Sequence, residues 1–377
     1  IIGNVPHLRF PEFSGEWDSF KLVELGKFIG GGTPSSSNLS FWTGSIPWIS
    51  SSDIKEDNIN NISISRYITE DAIEKSATKY CPAPVILIVS RVGVGKVALS
   101  HTSLCTSQDF CNIIDIKCHP VFLSYNLLRT MKRKSREVQG TSIKGITSDE
   151  LQKIRVFIPK NKDEQNKISN LLTLLDERIA TQNKIIEDLK KLKSAISLKM
   201  LHSDSWEQFK IQDIASIGRG RVISSVEISQ QENPLYPVYS SQTSNDGIMG
   251  YLDDFMFEGE YISWTTDGAN AGTVFYRNGK FNCTNVCGLL KLKKGFDAHF
   301  VSLVLAEATR MYVSTNLANP KLMNNTMGNI QIRLPKLEEQ KRISVVFRKL
   351  HGLLETHNSL IIKYSKQKQY LLSQMFI

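Results

Sequence analysis

The chain has 377 residues, 41% of them hydrophobic and 22% charged, with a formal net charge of +9 and a pI near 9.1. That composition suits two ordinary globular domains and excludes a disordered polyelectrolyte; the basic excess fits a polyanionic partner without choosing one. No apolar run approaches the roughly 18–20 residues of a membrane span, and Ile1–His7 lacks a basic stretch leading into an apolar core, so the expectation is a cytoplasmic protein without membrane association.

Residues 1–16 form an N-terminal segment ahead of the first patterned stretch. Residues 17–158 then read as a β-rich domain. Short Val-, Ile- and Leu-rich runs at 85–90, 112–117 and 154–158 are set among Gly, Asn, Asp and Ser clusters. Helices are predicted near 69–77 and 120–134. Pro159 stops the last strand, and Asn161 with Glu164 reads as a capping box opening a long helix. No Pro or Gly interrupts 163–200, a helix of about 57 Å at ~1.5 Å per residue. Residues 159–204 are thus a first spacer helix. Residues 205–333 form a second β-rich domain, with strands at 286–292 and 330–334 and a helix near 298–312. Residues 334–377 form a second spacer helix.

The second half repeats the first. Ile158-Pro-Lys-Asn-Lys-Asp-Glu-Gln-Asn-Lys-Ile-Ser169 matches Leu334-Pro-Lys-Leu-Glu-Glu-Gln-Lys-Arg-Ile-Ser344 with one insertion. The match then continues without gaps, placing Thr181 on Thr356, Asn183 on Asn358, Lys193 on Lys368 and Met200 on Met375. The domains open alike, with Trp17-Asp-Ser-Phe-Lys-Leu22 against Trp206-Glu-Gln-Phe-Lys-Ile211. Apolar residues step by four and three along both helices: Ile168, Leu172, Leu175, Ile179, Ile186, Leu189, Ile196 and Met200, then Ile343, Phe347, Leu350, Leu354, Ile361, Tyr364, Leu371 and Met375. Polar residues fill the gaps at Gln182 and Lys193, and at His357 and Lys368. Such seams predict a coiled coil, most simply an antiparallel pair within the chain.

Catalytic constellations are missing. Gly93-Val-Gly-Lys96 resembles the end of a phosphate loop, but Ser90 stands where the first Gly is needed and Val97 where Ser or Thr is needed. There is no Pro-Pro for an adenine methyltransferase motif. Asp115-Ile-Lys117 has no acidic residue placed to share a nuclease metal. Cys283 and Cys287 are the one close cysteine pair, no His or Cys lies at zinc-site spacing, and the six cysteines read as reduced core thiols. Neither cofactor nor metal is expected.

Several loop motifs, in this order within a duplicated frame, resemble the specificity subunits of type I restriction–modification enzymes. In the first domain they are Gly31-Gly-Thr-Pro-Ser35, Phe41-Trp-Thr-Gly-Ser-Ile-Pro-Trp-Ile-Ser50 and Ser90-Arg-Val-Gly-Val-Gly-Lys96. In the second they are Tyr236-Pro-Val-Tyr-Ser240, Gly247-Ile-Met-Gly-Tyr251, Asp267-Gly-Ala-Asn-Ala-Gly272 and Tyr276-Arg-Asn-Gly-Lys280. The resemblance implies an α+β fold: two β-rich target recognition domains separated by two long antiparallel coiled-coil helices in a pseudo-twofold repeat. It also implies a non-catalytic subunit that recognises a bipartite, gapped site in double-stranded DNA. Two methyltransferase subunits and the restriction (translocase and nuclease) subunits would complete the complex and supply adenine methylation and cleavage.

Candidate DNA contacts in the first domain are Thr33, Ser35, Ser50, Ser51, Ser52, Lys55, Arg91, Lys96, Ser142 and Lys144. In the second they are Arg219, Arg221, Ser241, Gln242, Asn245, Thr265, Asn270 and Lys321. Lys and Arg would hold phosphates, and Ser, Asn, Gln and Arg would read base edges. Gly30-Gly-Gly32 either brings backbone close to phosphate or simply turns. Trp48 and Trp264 read as core residues. The alternative reading is a coiled-coil scaffold linking two protein-binding β-rich modules, which salt-dependent DNA binding would separate from the first.

Overall fold

The computed structural model describes residues 3–138, 145–314 and 319–377. The chain divides into two compact units, one of residues 1–184 with 358–377 and the other of residues 185–357.

In the first unit β1 (Asp18–Lys21) leads through α1 (Leu22–Leu25) to β2 (Lys27–Gly30), β3 (Ile46–Ile49), β4 (Arg66–Ile68), α2 (Glu70–Glu74), β5 (Tyr80–Cys81) and β6 (Val85–Val89). Next come β7 (Val97–Ser100), β8 (Leu104–Thr106), β9 (Phe110–Ile114), α3 (Pro120–Val138), α4 (Ser148–Lys153) and β10 (Arg155–Ile158). Two four-stranded sheets form, ordered β2-β9-β6-β7 and β4-β3-β8-β5, while β1 pairs with β10. Every residue of β6 is buried, because the strand has a core on each face. Ile86 and Ile88 point to a core shared with Phe122, Leu127 and Met131 of α3, and Val85, Leu87 and Val89 to a second core with Ile49 and Leu104. That period of two on a doubly covered strand is why the sequence shows an unbroken apolar run there.

The helix α5 (Lys162–Met200) leaves this unit and enters the other. There β11 (Glu207–Lys210), α6 (Ile211–Ile214), β12 (Ala215–Arg219), α7 (Ser225–Ser229), β13 (Tyr236–Tyr239), β14 (Ile248–Leu252), β15 (Phe257–Glu258) and β16 (Tyr261–Thr265) follow. Then come β17 (Val274–Arg277), β18 (Lys280–Cys283), β19 (Cys287–Leu292), α8 (Ala298–Ala308), α9 (Asn324–Asn329), β20 (Gln331–Leu334) and α10 (Leu337–Gln374). The sheets are ordered β12-β19-β16-β17 and β14-β13-β18-β15, with β11 on β20. Strand for strand, this is the topology of the first unit.

The repeated Glu-Gln motif has a structural reason. Gln165 donates from Nε2 to the Pro159 carbonyl at 2.9 Å and accepts from the His119 N–H at 3.0 Å. Gln340 does the same with the Pro335 carbonyl at 2.8 Å and the Asp297 N–H at 2.9 Å. Each buried amide therefore stitches the last strand to the start of α3 or α8, satisfying backbone groups that would otherwise be orphaned. The Ser of each motif adds a tie. Ser169 Oγ meets His119 Nδ1 at 3.1 Å, and Ser344 Oγ meets His299 Nδ1 at 2.7 Å. Burial pushes the His299 pKa down to about 4, so its ring is neutral at pH 7.

Asn161 caps α5, accepting from the Asp163 N–H at 2.8 Å. The expected capping box is not completed, because Glu164 turns inward. Its carboxylate, 1% exposed, takes Arg9 through Nε at 2.7 Å and NH2 at 2.8 Å, and Trp17 Nε1 at 3.2 Å. A bidentate guanidinium outweighs one exposed backbone N–H as a partner for a buried carboxylate.

The seam residues named from periodicity are all buried or half-buried along both helices. In the first unit Ile168, Leu172 and Leu175 share a core with Phe122, Val156, Leu371, Met375 and Phe376. In the second, Ile343 and Phe347 join Phe300, Val301 and Leu201. The 39 residues of α5 span about 58 Å. Of the six free thiols only Cys118 is not fully buried, and burial pushes Cys105 and Cys118 up to about 12, which leaves them poor nucleophiles and metal ligands. No helix among the described residues is long and apolar enough to cross a membrane.

Candidate nucleic-acid interface

Both β2 and β6 run antiparallel to β9, so their C-terminal ends leave the sheet at one edge. The chain after β3 is drawn to that edge by Ser107 N–H on the Ile49 carbonyl (2.9 Å) and Gly32 N–H on the Thr106 carbonyl (2.8 Å). Three loops therefore cluster: 31–35, 50–55 and 90–96. Lys96 fastens two of them, donating from Nζ to the Ser51 carbonyl at 3.1 Å. The second unit builds the same end from loops 219–224, 240–247 and 266–273, since β12 and β16 are both antiparallel to β19. There Asn270 Nδ2 reaches the Ser241 carbonyl at 3.4 Å, the counterpart of the Lys96 tie.

The glycines at the loop roots serve backbone crossing. A Cβ on Gly31 would lie 2.0 Å from the Ser107 carbonyl oxygen, and one on Gly220 would lie 1.9 Å from that of Cys283. Gly32 is equally closed, 2.3 Å from the Ala77 oxygen. These positions face protein backbone, so Gly31 and Gly32 let two chain segments cross rather than admit a phosphate.

In the first unit, Thr33, Ser35, Ser52, Lys55 and Arg91 are exposed on this end. Thr33 Oγ1 bonds Gln108, and Ser35 Oγ bonds Ser37. Among the described residues no partner engages the Arg91 guanidinium. Ser50 is already engaged: its N–H and Oγ bind Asp53 Oδ2 at 2.7 and 3.0 Å, and Arg66 NH2 reaches its Oγ at 2.7 Å. Ser51 presents its carbonyl to Lys96. Ser142 and Lys144 lie outside the described residues.

In the second unit Arg219 is exposed beside Met323, and Arg221 is held by Glu227, NH1 to Oε2 at 3.0 Å. Gln242 bonds the Ile248 carbonyl. Asn245, exposed, adopts a positive φ of 49° at the loop tip. Lys321 Nζ lies 3.7 Å from Asp267 Oδ1, bringing loop 319–322 to the same end. Thr265 is 1% exposed and stands behind the face. Trp48 and Trp264 are core residues, with Nε1 on the carbonyls of Gly32 (2.9 Å) and Leu322 (2.8 Å).

Three features stand outside the candidate contacts named from the sequence. Arg66, in β4, ties Ser50 to Asp53 and lies over the Trp48 ring at 4.5 Å. Arg277, 2% exposed, donates to Ser263 Oγ at 3.0 Å and Asp246 Oδ2 at 2.7 Å while stacked 3.6 Å from Tyr239. On α3, Arg133 and Arg136 are exposed beside Ser135, which packs against Gly95 of the 90–96 loop. The run Lys132-Arg133-Lys134-Ser-Arg136 was a legible signal for that basic ramp.

The family model "Type I restriction modification DNA specificity domain" matches residues 14–191 and again residues 203–363. The chain belongs to this family. It is similar to a putative type I specificity subunit of Mycoplasma pneumoniae, 41% identical over 177 residues, 45% of this chain and 73% of that one. The specificity subunit of the type I restriction enzyme MpnII, from the same organism, is 41% identical over 45% of this chain and 53% of its own. The fold is that of the type I restriction–modification S subunit from M. genitalium, with a TM-score of 0.71, 18% identity and 99% of each chain covered. Two matched copies in one chain make it a specificity subunit with two such domains.

Proposed function

We propose that this specificity subunit reads a split sequence in double-stranded DNA, one half with each unit, and is itself non-catalytic. The observation that carries the reading is the doubled loop end. The same three loops and the same inter-loop tie occur twice on one topology, yet with different side chains at their tips. Identical scaffolds with different loops suit two different half-sequences. Two equivalent helix starts, each stitched by a Gln, suit two methyltransferase subunits, to which restriction subunits add translocation and cleavage. S-adenosylmethionine and ATP chemistry then belong to those partners, and the complex works in the cytoplasm.

Modification-sensitive sequencing of the source genome tests this. The expected motif is split and gapped, with one adenine marked on each strand. A contiguous motif would contradict the reading.

The phosphate-binding surface is expected to extend onto α3. Replacing Arg133 and Arg136 by Ala is expected to flatten the slope of log affinity against log salt by about 0.9 for each phosphate no longer neutralised. Affinity should fall evenly across sequences. A change of preference at one base pair would instead make one of them a base reader. A slope equal to the parent's would remove α3 from the interface.

A further inference from the structure

Lys368 fills a polar gap in the apolar seam of α10, yet it is 3% exposed. Its Nζ donates to Asp176 Oδ1 on α5 and to the main-chain carbonyl of Asp57, at 2.5 Å each. Tyr125 OH, on α3, donates to the other Asp176 oxygen at 2.7 Å. Asp57 is held from a second side as well, by Lys132 Nζ on its carboxylate at 2.8 Å. Asp57 has a positive φ of 60° and stands in the loop closed by the Ile54–Ile62 bridge. That loop continues directly from Ser50–Asp53, and it is pinned again where the Ile59 carbonyl accepts the Leu99 N–H at 2.8 Å. Desolvation holds the Lys368 ammonium below the ordinary lysine range, and the Asp176 carboxylate offsets part of that effect. In the second copy the positions of Asp176 and Lys368 are taken by His351 and Lys193, so no carboxylate is present to form the pair.

An apolar residue at Lys368 would complete the seam. A buried ammonium there is retained against its desolvation cost, and it satisfies two acceptors on two different elements. One of these lies on the partner helix and the other on the loop that runs up to the candidate DNA face. We propose that Lys368 is a positioning residue: by gripping the Asp57 carbonyl it fixes the 50–62 loop against the helix pair, so the base choice of the first domain depends on a lysine that touches no DNA. The proposal rests on the two-half reading above.

The test uses the full chain with its methyltransferase partner and measures affinity for matched DNA and for single mismatches in each half. The parent protein should discriminate about tenfold or more per mismatch in both halves; no discrimination in the parent would count against the DNA reading itself. K368M/D176L removes the lysine without leaving a buried carboxylate unpaired. Its discrimination should fall to near one in the half read by the first domain and stay within about twofold of the parent in the other. K368R should restore most of it. A folded double variant with both ratios intact overturns the proposal. If the double variant does not fold, K368Q decides: its amide is too short to hold both acceptors, so a loss confined to the first half supports the proposal and an unchanged ratio overturns it.

Discussion

Arg277→Ala is expected to abolish selection of the half-sequence read by the second domain and to destabilise that domain by about 3–5 kcal/mol. The guanidinium sits 3.6 Å from the Tyr239 ring and 4.4 Å from that of Phe275, almost fully out of water. Removing it opens a cavity between two rings and leaves the buried Ser263 hydroxyl without its donor. It also frees Asp246, whose backbone at φ 54° shapes the tip of the 240–247 loop. Asp246→Ala separates the two effects. That carboxylate is 67% exposed, so its ion pair contributes about 1 kcal/mol or less to stability. It should melt like the parent while losing selectivity in the same half. Arg277→Lys should rescue little, since a point charge cannot stack and fork at once. Thermal unfolding and site selection from a random library check all three, and unchanged selection by folded Arg277→Ala would show that this loop does not read DNA.

Lengthening both helices should change the gap and nothing else. Four residues inserted between Lys184 and Ile185, with four more between His357 and Asn358, extend each helix by ~6 Å and rotate it by ~40°. A four-residue stutter is one that a coiled coil absorbs, and adding it to both helices preserves their pairing. One base pair advances DNA by ~3.4 Å and turns it by roughly 35°. The preferred gap should therefore grow by about one or two base pairs, about two by rise and about one by twist, with both half-sequences unchanged. Circular dichroism confirms folding first. A folded variant that keeps the parental gap would leave the helices as a docking platform with no measuring role.

The helices and the duplication were legible because they rest on periodicity and repetition, which a single chain displays directly. The strand that buries both faces, Val85–Val89, and the buried first four residues of Cys287–Leu292 were visible as apolar runs. Polar or two-residue strands such as Tyr80–Cys81 were not, because sheet pairing rather than local propensity creates them. The loops were found by composition, but composition cannot separate a side chain on the face from one that supports it. Ser50 and Thr265 read as DNA-facing and prove to be engaged or buried. Arg66 lies in a strand and gave no local signal, while Arg277 stood inside the Tyr276–Lys280 motif, which marked the stretch without showing that this side chain holds a loop in place. Glu164 gave a local signal, a capping box, that its true partner overrides, since Arg9 is distant in sequence.

Exchange of one reading unit is the most direct test of the two-half mechanism. Residues 17–157 are replaced with the corresponding domain of another family member, and the sites bound with the methyltransferase partner are selected from random DNA. The expected motif keeps the second half-sequence and the gap of the parent, and takes its first half-sequence from the donor. A motif altered in both halves, or left unaltered, would contradict the assignment of one half-site to each unit.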